Sequence, residues 1–228
     1  MIKSKKLSKF KNIEHGFFNR LGGKSTGIFK SLNCGPSSSD NKKNILKNLD
    51  TACNKINAKS KKIVLLNQVH SNKFYYIGKN SKLNNVKFKG DALITNKRNL
   101  PIAILTADCA PILIHDENRK MIAAIHAGWK GAYKDIVIKV VKFMIKKGCS
   151  PQSITAAIGP CISTNNYEVK EDFKKKFIKK DTKNIVFFNK SKNKNYFNLN
   201  KYIHYQLKSL NINKIEIINK DTFNAKNN

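Results

Sequence analysis

Five short apolar runs, at 63–66, 92–94, 101–105, 111–114 and 121–125, constrain the fold of this chain more than any other feature. Each is rich in leucine or β-branched residues and too short for a helix, so each reads as a buried strand. Segments of helical period surround them. Asp40 stands as a cap for a helix over 41–57, whose apolar residues Ile45, Leu49, Ala52 and Ile56 recur at helical spacing. From Ala132 onward, Ile136, Val137, Val140, Val141, Met144 and Ile145 form one apolar helix face that Gly148 stops. A strand is expected at Ile154–Ile158, helices around Val169–Phe177 and Leu199–Leu210, polar loop at 190–195 and a last strand at 215–218. This order predicts an α/β fold, a single domain over 1–228 with mixed β-sheets flanked by helices.

No apolar run approaches the roughly 20 residues of a membrane span. Lysines near Met1–Lys11 are not followed by the apolar stretch of a secretory signal, so a cytoplasmic protein with no membrane partner is expected. Cys34, Cys53, Cys109, Cys149 and Cys161 are irregularly spaced and include no C-x-x-C pair, which disfavours a disulfide framework or a zinc ribbon. The net charge of +31 raises the possibility of a nucleic-acid-binding module. However, only Arg20, Arg98 and Arg119 among the 45 basic residues are arginines, and the lysines are spread over the whole chain. Dedicated phosphate and base readers favour the guanidinium fork. The lysines are therefore read as a solvated surface of biased composition, and no specific nucleic-acid partner is expected.

Chemistry concentrates in the middle of the chain. His70, Cys109 and His126 follow the runs Ile63–Leu66, Pro101–Leu105 and Met121–Ile125, and each is expected at the carboxyl end of a buried strand. Taken singly, each would pass for a core residue. Together they form a zinc-type donor set with a fourth tetrahedral position left for water or substrate. Their separations are too long for a local zinc knuckle, so they meet only if three strand ends lie together. Two glycine-containing segments accompany them. Arg20-Leu-Gly-Gly-Lys-Ser-Thr-Gly27 could bring a guanidinium and backbone amides to an anion, or be a plain turn. His126-Ala-Gly-Trp-Lys-Gly131 leads into a helix whose first amides, near Gly128, could hold phosphate, or needs its glycines only for the turn. Asp108, the carboxylate nearest in sequence to a ligand, is a candidate proton shuttle or a turn-stabilising residue. Gln68 and Asn33 are candidate pocket residues, with Gln68 able to orient His70. Cys161 reads as a buried structural thiol. A Cys-His hydrolase with Cys109 as nucleophile and His126 as base is a rival from a different chemistry.

The motifs His15-Gly-Phe-Phe-Asn-Arg-Leu-Gly-Gly23, Leu32-Asn-Cys-Gly35, Gln68-Val-His-Ser71, Gly90-Asp-Ala-Leu-Ile-Thr95, Thr106-Ala-Asp-Cys-Ala-Pro111, His126-Ala-Gly-Trp-Lys-Gly131 and Ile158-Gly-Pro-Cys-Ile162 occur in this order. In them the chain resembles the metal-dependent purine nucleoside phosphorylases formerly called multicopper polyphenol oxidase or laccase-like, densely over about His15–Tyr167. The resemblance implies a single α/β domain and zinc on His70, Cys109 and His126, with copper as the alternative metal. It implies purine nucleosides and phosphate as partners, with phosphorolysis of adenosine, inosine, guanosine and methylthioadenosine, and hydrolytic deamination of adenosine as a second activity. Arg20 matches the family's anion-contacting arginine. Cys109, Asp108 and Arg20 are thus the expected catalytic residues, and Arg20, Asn33, Gln68 and Gly128 the expected substrate- and phosphate-binding ones. Lys24 departs from the family pattern, and Ile215–Phe223 resembles a family strand that is normally followed by an arginine-bearing segment, so a divergent terminus of lower activity or stability is expected. The H-x-E…P-C-x-x-C signature of cytidine-type deaminases is absent. Other readings are a hydrolase editing peptidoglycan precursors and a copper-dependent polyphenol oxidase. The latter normally needs several metal centres, for which five histidines supply few ligands. The oligomeric state is left open by the residues.

If the lysines are surface bias, duplex DNA binding will be weak, independent of sequence and lost at physiological salt in a titration of affinity against salt concentration. Tight, sequence-selective binding at that salt would reverse the ranking of enzyme over binding module.

Overall fold

A computed structural model describes residues 1–81 and 89–223. The strands, in chain order, are β1 (Phe74–Ile77), β2 (Ala92–Thr95), β3 (Ala110–Asp116), β4 (Met121–Ala127), β5 (Ile154–Ile158), β6 (Glu168–Val169), β7 (Phe188–Ser191), β8 (Lys194–Phe197) and β9 (Lys214–Ile217). The helices are α1 (Lys42–Lys55), α2 (Trp129–Tyr133), α3 (Ile136–Lys146), α4 (Glu171–Lys180) and α5 (Leu199–Lys208). Six strands form a mixed sheet in the order β1-β2-β4-β3-β5-β9, and β6-β8-β7 form a small second sheet. The fold is mixed α/β, as the element order predicts. No helix among the described residues is long and apolar enough to cross a membrane.

Alternation along the strands explains why the large sheet is covered on both faces. Ile94, Ile112, Ile114, Ile125, Ile154 and Ile158 turn to one side, against Val137, Val140, Val141 and Met144 of α3 and Leu199, Ile203 and Leu207 of α5. On the other side Leu93 packs with Leu66, Ile77 and Leu100. Ala157 on that side meets Leu7 and Phe17 of the N-terminal segment. The small sheet and α4 extend the helix-side core through packed aromatics, most of them meeting edge to face or tilted. Phe177, fully buried, contacts Tyr133, Phe173, Phe188, Phe197 and Tyr202.

Several expectations are corrected. The runs 63–66 and 101–105 are not strands; they meet in one isolated parallel bridge, Val64 with Ile102, beneath the apolar cluster around Leu66. β1 lies instead in the less apolar Phe74-Tyr-Tyr-Ile77, paired parallel to β2. Asp40 does not cap α1, because its carboxylate accepts from Ser25 Oγ, Asn33 Nδ2 and the Asn41 amide. Asn41 caps the helix by accepting from the Lys43 amide. The helix expected from Ala132 begins at Trp129 and is divided by Asp135, which adopts a left-handed conformation (φ 63°). The polar stretch 190–195 is a hairpin, since Lys192 and Asn193 both take positive φ, as a two-residue turn requires. The divergent terminus expected after Phe223 falls at 224–228, outside the described residues.

Phe177→Ala removes the ring on which the aromatic layer converges, and should lower unfolding stability by about 3–5 kcal/mol. Urea unfolding followed by circular dichroism measures this; an unshifted midpoint would mean that the layer contributes little to the core.

Candidate metal centre

One rim of the large sheet gathers the chemistry. In the antiparallel pair β3–β4, Ala110 faces Ala127 and Pro111 faces His126, so Cys109, just before β3, comes beside the end of β4. β2 runs antiparallel on the other side of β4, with Ala92 opposite Ile125, and the amide of His126 donates to the Asp91 carbonyl at 2.8 Å. The loop before β1 brings in His70 beside the same rim. Only His126 fits the expectation of a ligand near a strand's carboxyl end. Cys109 precedes its strand and His70 lies in a loop with a left-handed backbone, φ 54°. The antiparallel order reconciles this with convergence, because the start of one strand adjoins the end of its neighbour.

The side-chain ligand atoms of His70, Cys109 and His126 all lie within 4.8 Å of one another. Cys109 Sγ is 3.8 Å from His70 Nε2, and the two imidazoles meet edge to face with centroids 4.8 Å apart. His126 is buried and its Nδ1 is 2.9 Å from Asp91 Oδ1, which leaves Nε2 to face the other two donors. Burial opposes charge on this ring, yet its hydrogen bonds to Asp91 and Cys109 raise its pKa. Burial acts against charge at Asp91 as well, but its bonds to His126 and Ser71 hold its pKa below the usual carboxylate range. At His70, burial and the neighbouring His126 lower the pKa, favouring the neutral imidazole that serves as a ligand.

Gly128 completes the arrangement. A Cβ on it would come 2.7 Å from Cys109 Sγ and 2.9 Å from His70 Cδ2, so only glycine leaves the ligands their space. Two imidazoles and a thiolate are suited to zinc, and three protein donors are the set of a catalytic site with an open position. The residues therefore fit a metal. The helix that follows, α2, has only five residues, and the Gly128 carbonyl is taken by the amide of Ala132.

The remaining expected residues are held by other contacts. Gln68 pairs with the backbone of Leu105 in both directions, donating to its carbonyl and accepting from its amide at 2.7 Å each. It thereby ties the His70 loop to the segment leading to Cys109. A cavity of about 180 Å³ adjoins this tie, lined by Gly35, Pro36, Ser38, Leu66, Gln68 and Leu105. Asn33 shapes its border, accepting from the Gly35 amide and donating to Ser38 and Asp40. The Arg20 carbonyl accepts from the amides of Ser31 and Leu32, and its side chain is exposed. Gly23 closes this loop so tightly that a Cβ would lie 2.1 Å from the Ser31 carbonyl oxygen. Asp108 is exposed and accepts from Thr222 Oγ1 at 2.8 Å. Polar contacts of Arg20, Asn33 and Asp108 thus lead away from the three donors. Cys161 is buried, donates to Asn200 Oδ1 and has its pKa pushed up to about 12 by burial, as befits a structural thiol.

Two residues of the site were not singled out from sequence. Asp91 stands inside the quoted Gly90–Thr95 motif, and its signal is a carboxylate directly before the apolar run Ala92-Leu-Ile94. Asn48 is buried on α1, where its side chain bonds to Lys24, Ser25, Ser31 and Asn33 and so pins the glycine-rich loop to the helix.

Residues 14–228 match the family model described as multi-copper polyphenol oxidoreductase laccase. A purine nucleoside phosphorylase of Rickettsia prowazekii (strain Madrid E) is 34% identical over 185 residues, covering 80% of this chain and 74% of that protein. A purine nucleoside phosphorylase of Bacteroides thetaiotaomicron is 34% identical over 186 residues, covering 78% and 69%. Among solved structures, the hypothetical protein YfiH of Bacillus licheniformis aligns with a TM-score of 0.80 at 26% identity, over 88% of this chain and 79% of that one.

Gly128→Ala should force the donors apart and weaken zinc binding about 10-fold or more, while overpacking costs only about 1–3 kcal/mol of stability. Zinc titration against a chromophoric chelator, with circular dichroism as the fold control, measures this. Unchanged affinity would mean that the donors have room to move.

Proposed function

The chain belongs to the multi-copper polyphenol oxidoreductase laccase family, and from that premise we propose that it is a zinc-dependent purine nucleoside phosphorylase with adenosine deamination as a second activity. The observation that carries the reading is the cluster of His70, Cys109 and His126 around Gly128. The names of the curated relatives support the substrates, purine nucleosides and phosphate. The whole chain is read as one such domain acting in the cytoplasm.

In phosphorolysis a phosphate oxygen bonds to ribose C1′ as the bond from C1′ to the purine breaks, and the electron pair leaves with the base. Positioning and charge stabilisation dominate such a reaction. Zinc held by His70, Cys109 and His126 would supply Lewis acidity toward a substrate oxygen or the attacking group. Arg20, on a loop fixed by Asn48 and the 31–32 backbone, would bind phosphate through its paired N–H groups. The amides near Gly128 would add donors beside the cluster. Gln68 would line, and Asn33 border, a substrate cavity beside the tie from Gln68 to Leu105, and Asp108 would carry a proton to or from the purine. Copper-dependent phenol oxidation is less well supported, because one three-donor cluster is found among the described residues and that chemistry normally uses several centres.

The test is phosphorolysis of inosine by the purified chain, with metal analysis of the same sample. The wild type should hold about one zinc per chain and release hypoxanthine only with phosphate. Cys109→Ala should lose both metal and turnover while keeping its circular dichroism spectrum. Wild-type turnover in that variant would end the metal reading, base release without phosphate would make the enzyme a hydrolase, and global unfolding would make the site structural.

A further inference from the structure

The donors account for themselves; the buried carboxylate behind them does not. Asp91 is fully buried immediately before β2. Its Oδ1 accepts from the amides of Val69 at 3.2 Å and His70 at 3.0 Å and faces His126 Nδ1 at 2.9 Å. Its Oδ2 accepts from the Ser71 amide at 2.6 Å and from Ser71 Oγ at 2.7 Å. Its backbone is committed to the same neighbours, the amide to the Lys73 carbonyl and the carbonyl to the His126 amide, both at 2.8 Å.

Three consecutive amides converging on one carboxylate form an anion-binding nest. Here the nest encloses His70, whose left-handed backbone is disfavoured for a residue with a β-carbon and persists because its surroundings hold it. That turn decides where the His70 imidazole points. The bond to His126 Nδ1 fixes the other imidazole in rotation and keeps its Nδ1 proton on the side away from the cluster. A carboxylate serving only to tie a loop would be satisfied by the amides, whereas Oδ1 of this one also bonds the ligand ring itself.

We infer that Asp91 is the positioning residue of the metal centre, a single anchor that sets both the backbone turn aiming His70 and the ring orientation of His126. Two of the three ligands are thereby referred to one buried point, and the third, Cys109, is brought to it by the β3–β4 pairing. The inference rests on the metal reading, and its consequence is a cluster preorganised before any metal arrives. In metal sites generally, such outer partners of ligating histidines affect affinity by about 10–100-fold.

Asp91→Asn replaces one acceptor oxygen by an NH₂ group that must face other N–H donors, so it should disturb the turn, the His126 bond or both. Ser71→Ala removes only the hydroxyl that steadies Oδ2. Zinc affinity would be measured by chelator competition for the wild type and both variants, together with the visible absorption of bound cobalt(II), which reports ligand geometry, and circular dichroism of the metal-free chains. The expected result is about one zinc in each folded protein, an affinity about 10–100-fold weaker in Asp91→Asn with a changed cobalt spectrum, and a smaller loss in the same direction in Ser71→Ala. Asp91→Asn decides where it folds; where it does not, Ser71→Ala decides. Wild-type affinity and spectrum in the deciding variant would overturn the inference and leave the metal reading standing. A wild-type protein that takes up neither zinc nor cobalt would overturn the metal reading itself, and this inference with it.

Discussion

The antiparallel pairing of β3 with β4 is the constraint on which the rest of the molecule's chemistry depends. Its register sets Ala110 opposite Ala127, which brings Cys109 alongside His126 and Gly128. The same β4 pairs with β2 on its other edge, so Asp91 falls behind His126. β1, parallel to β2, starts at that rim too and carries the loop with His70 and Ser71. A slip of one residue in the central pair would turn Ile112, Ile114 and Ile125 out of the helix-side core and move Cys109 off the rim. Both sheet faces are buried, so the apolar pattern enforces the register and the register places the donor atoms.

How much of this was legible in the sequence follows from which physical signals are local. β2, β3, β4 and β5 announce themselves as buried apolar runs, and the apolar face of α3 is plain from Ile136 to Met144. His70, Cys109 and His126 are recognisable as a donor set, although a place at the carboxyl end of a strand holds for His126 alone. The runs at 63–66 and 101–105 misled because apolar side chains can cover a sheet face without entering a ladder, as Val64, Leu66 and Ile102 do. β1 was missed because its Phe74-Tyr-Tyr-Ile77 stands at a sheet edge only partly buried. The β7–β8 hairpin was missed because its turn residues, Lys192 and Asn193, are a weak signal for positive φ beside glycine. Asn48 was invisible for another reason. A polar residue in a helix reads as solvent-facing unless its partners, here some 15 to 24 residues away, are known.

The cluster also shows how backbone and charge share the work of bringing like chemistries together. Two imidazoles and a thiol pack within 4.8 Å only because Gly128 contributes no side chain there. Gln68 and Asp91 then brace the His70 loop from two directions, one against Leu105 on the Cys109 side, the other against His126. Their effect is local stiffness at a sheet rim, outside the apolar clusters that stabilise the fold. A donor set at a rim differs in place from a structural zinc site, where the metal itself supplies the folding energy.

Electrostatics points the same way. The chain carries a net charge of +31, yet among the described residues four ion pairs occur, and three of them join lysines to carboxylates at least partly exposed at the surface. Such pairs contribute little to stability, so most lysines are left to water and counterions. The fourth, His126 with Asp91, is buried. A buried pair offsets its desolvation only with good geometry and further hydrogen bonds, and a packed apolar pair of the same volume often serves stability as well or better. Asp91 has those further bonds, from Val69, His70 and Ser71. The buried ion pair among the described residues thus stands where a ring must be held at a defined angle and a turn in a disfavoured conformation. Neither requirement arises from packing the core; both arise from setting donor atoms around a point.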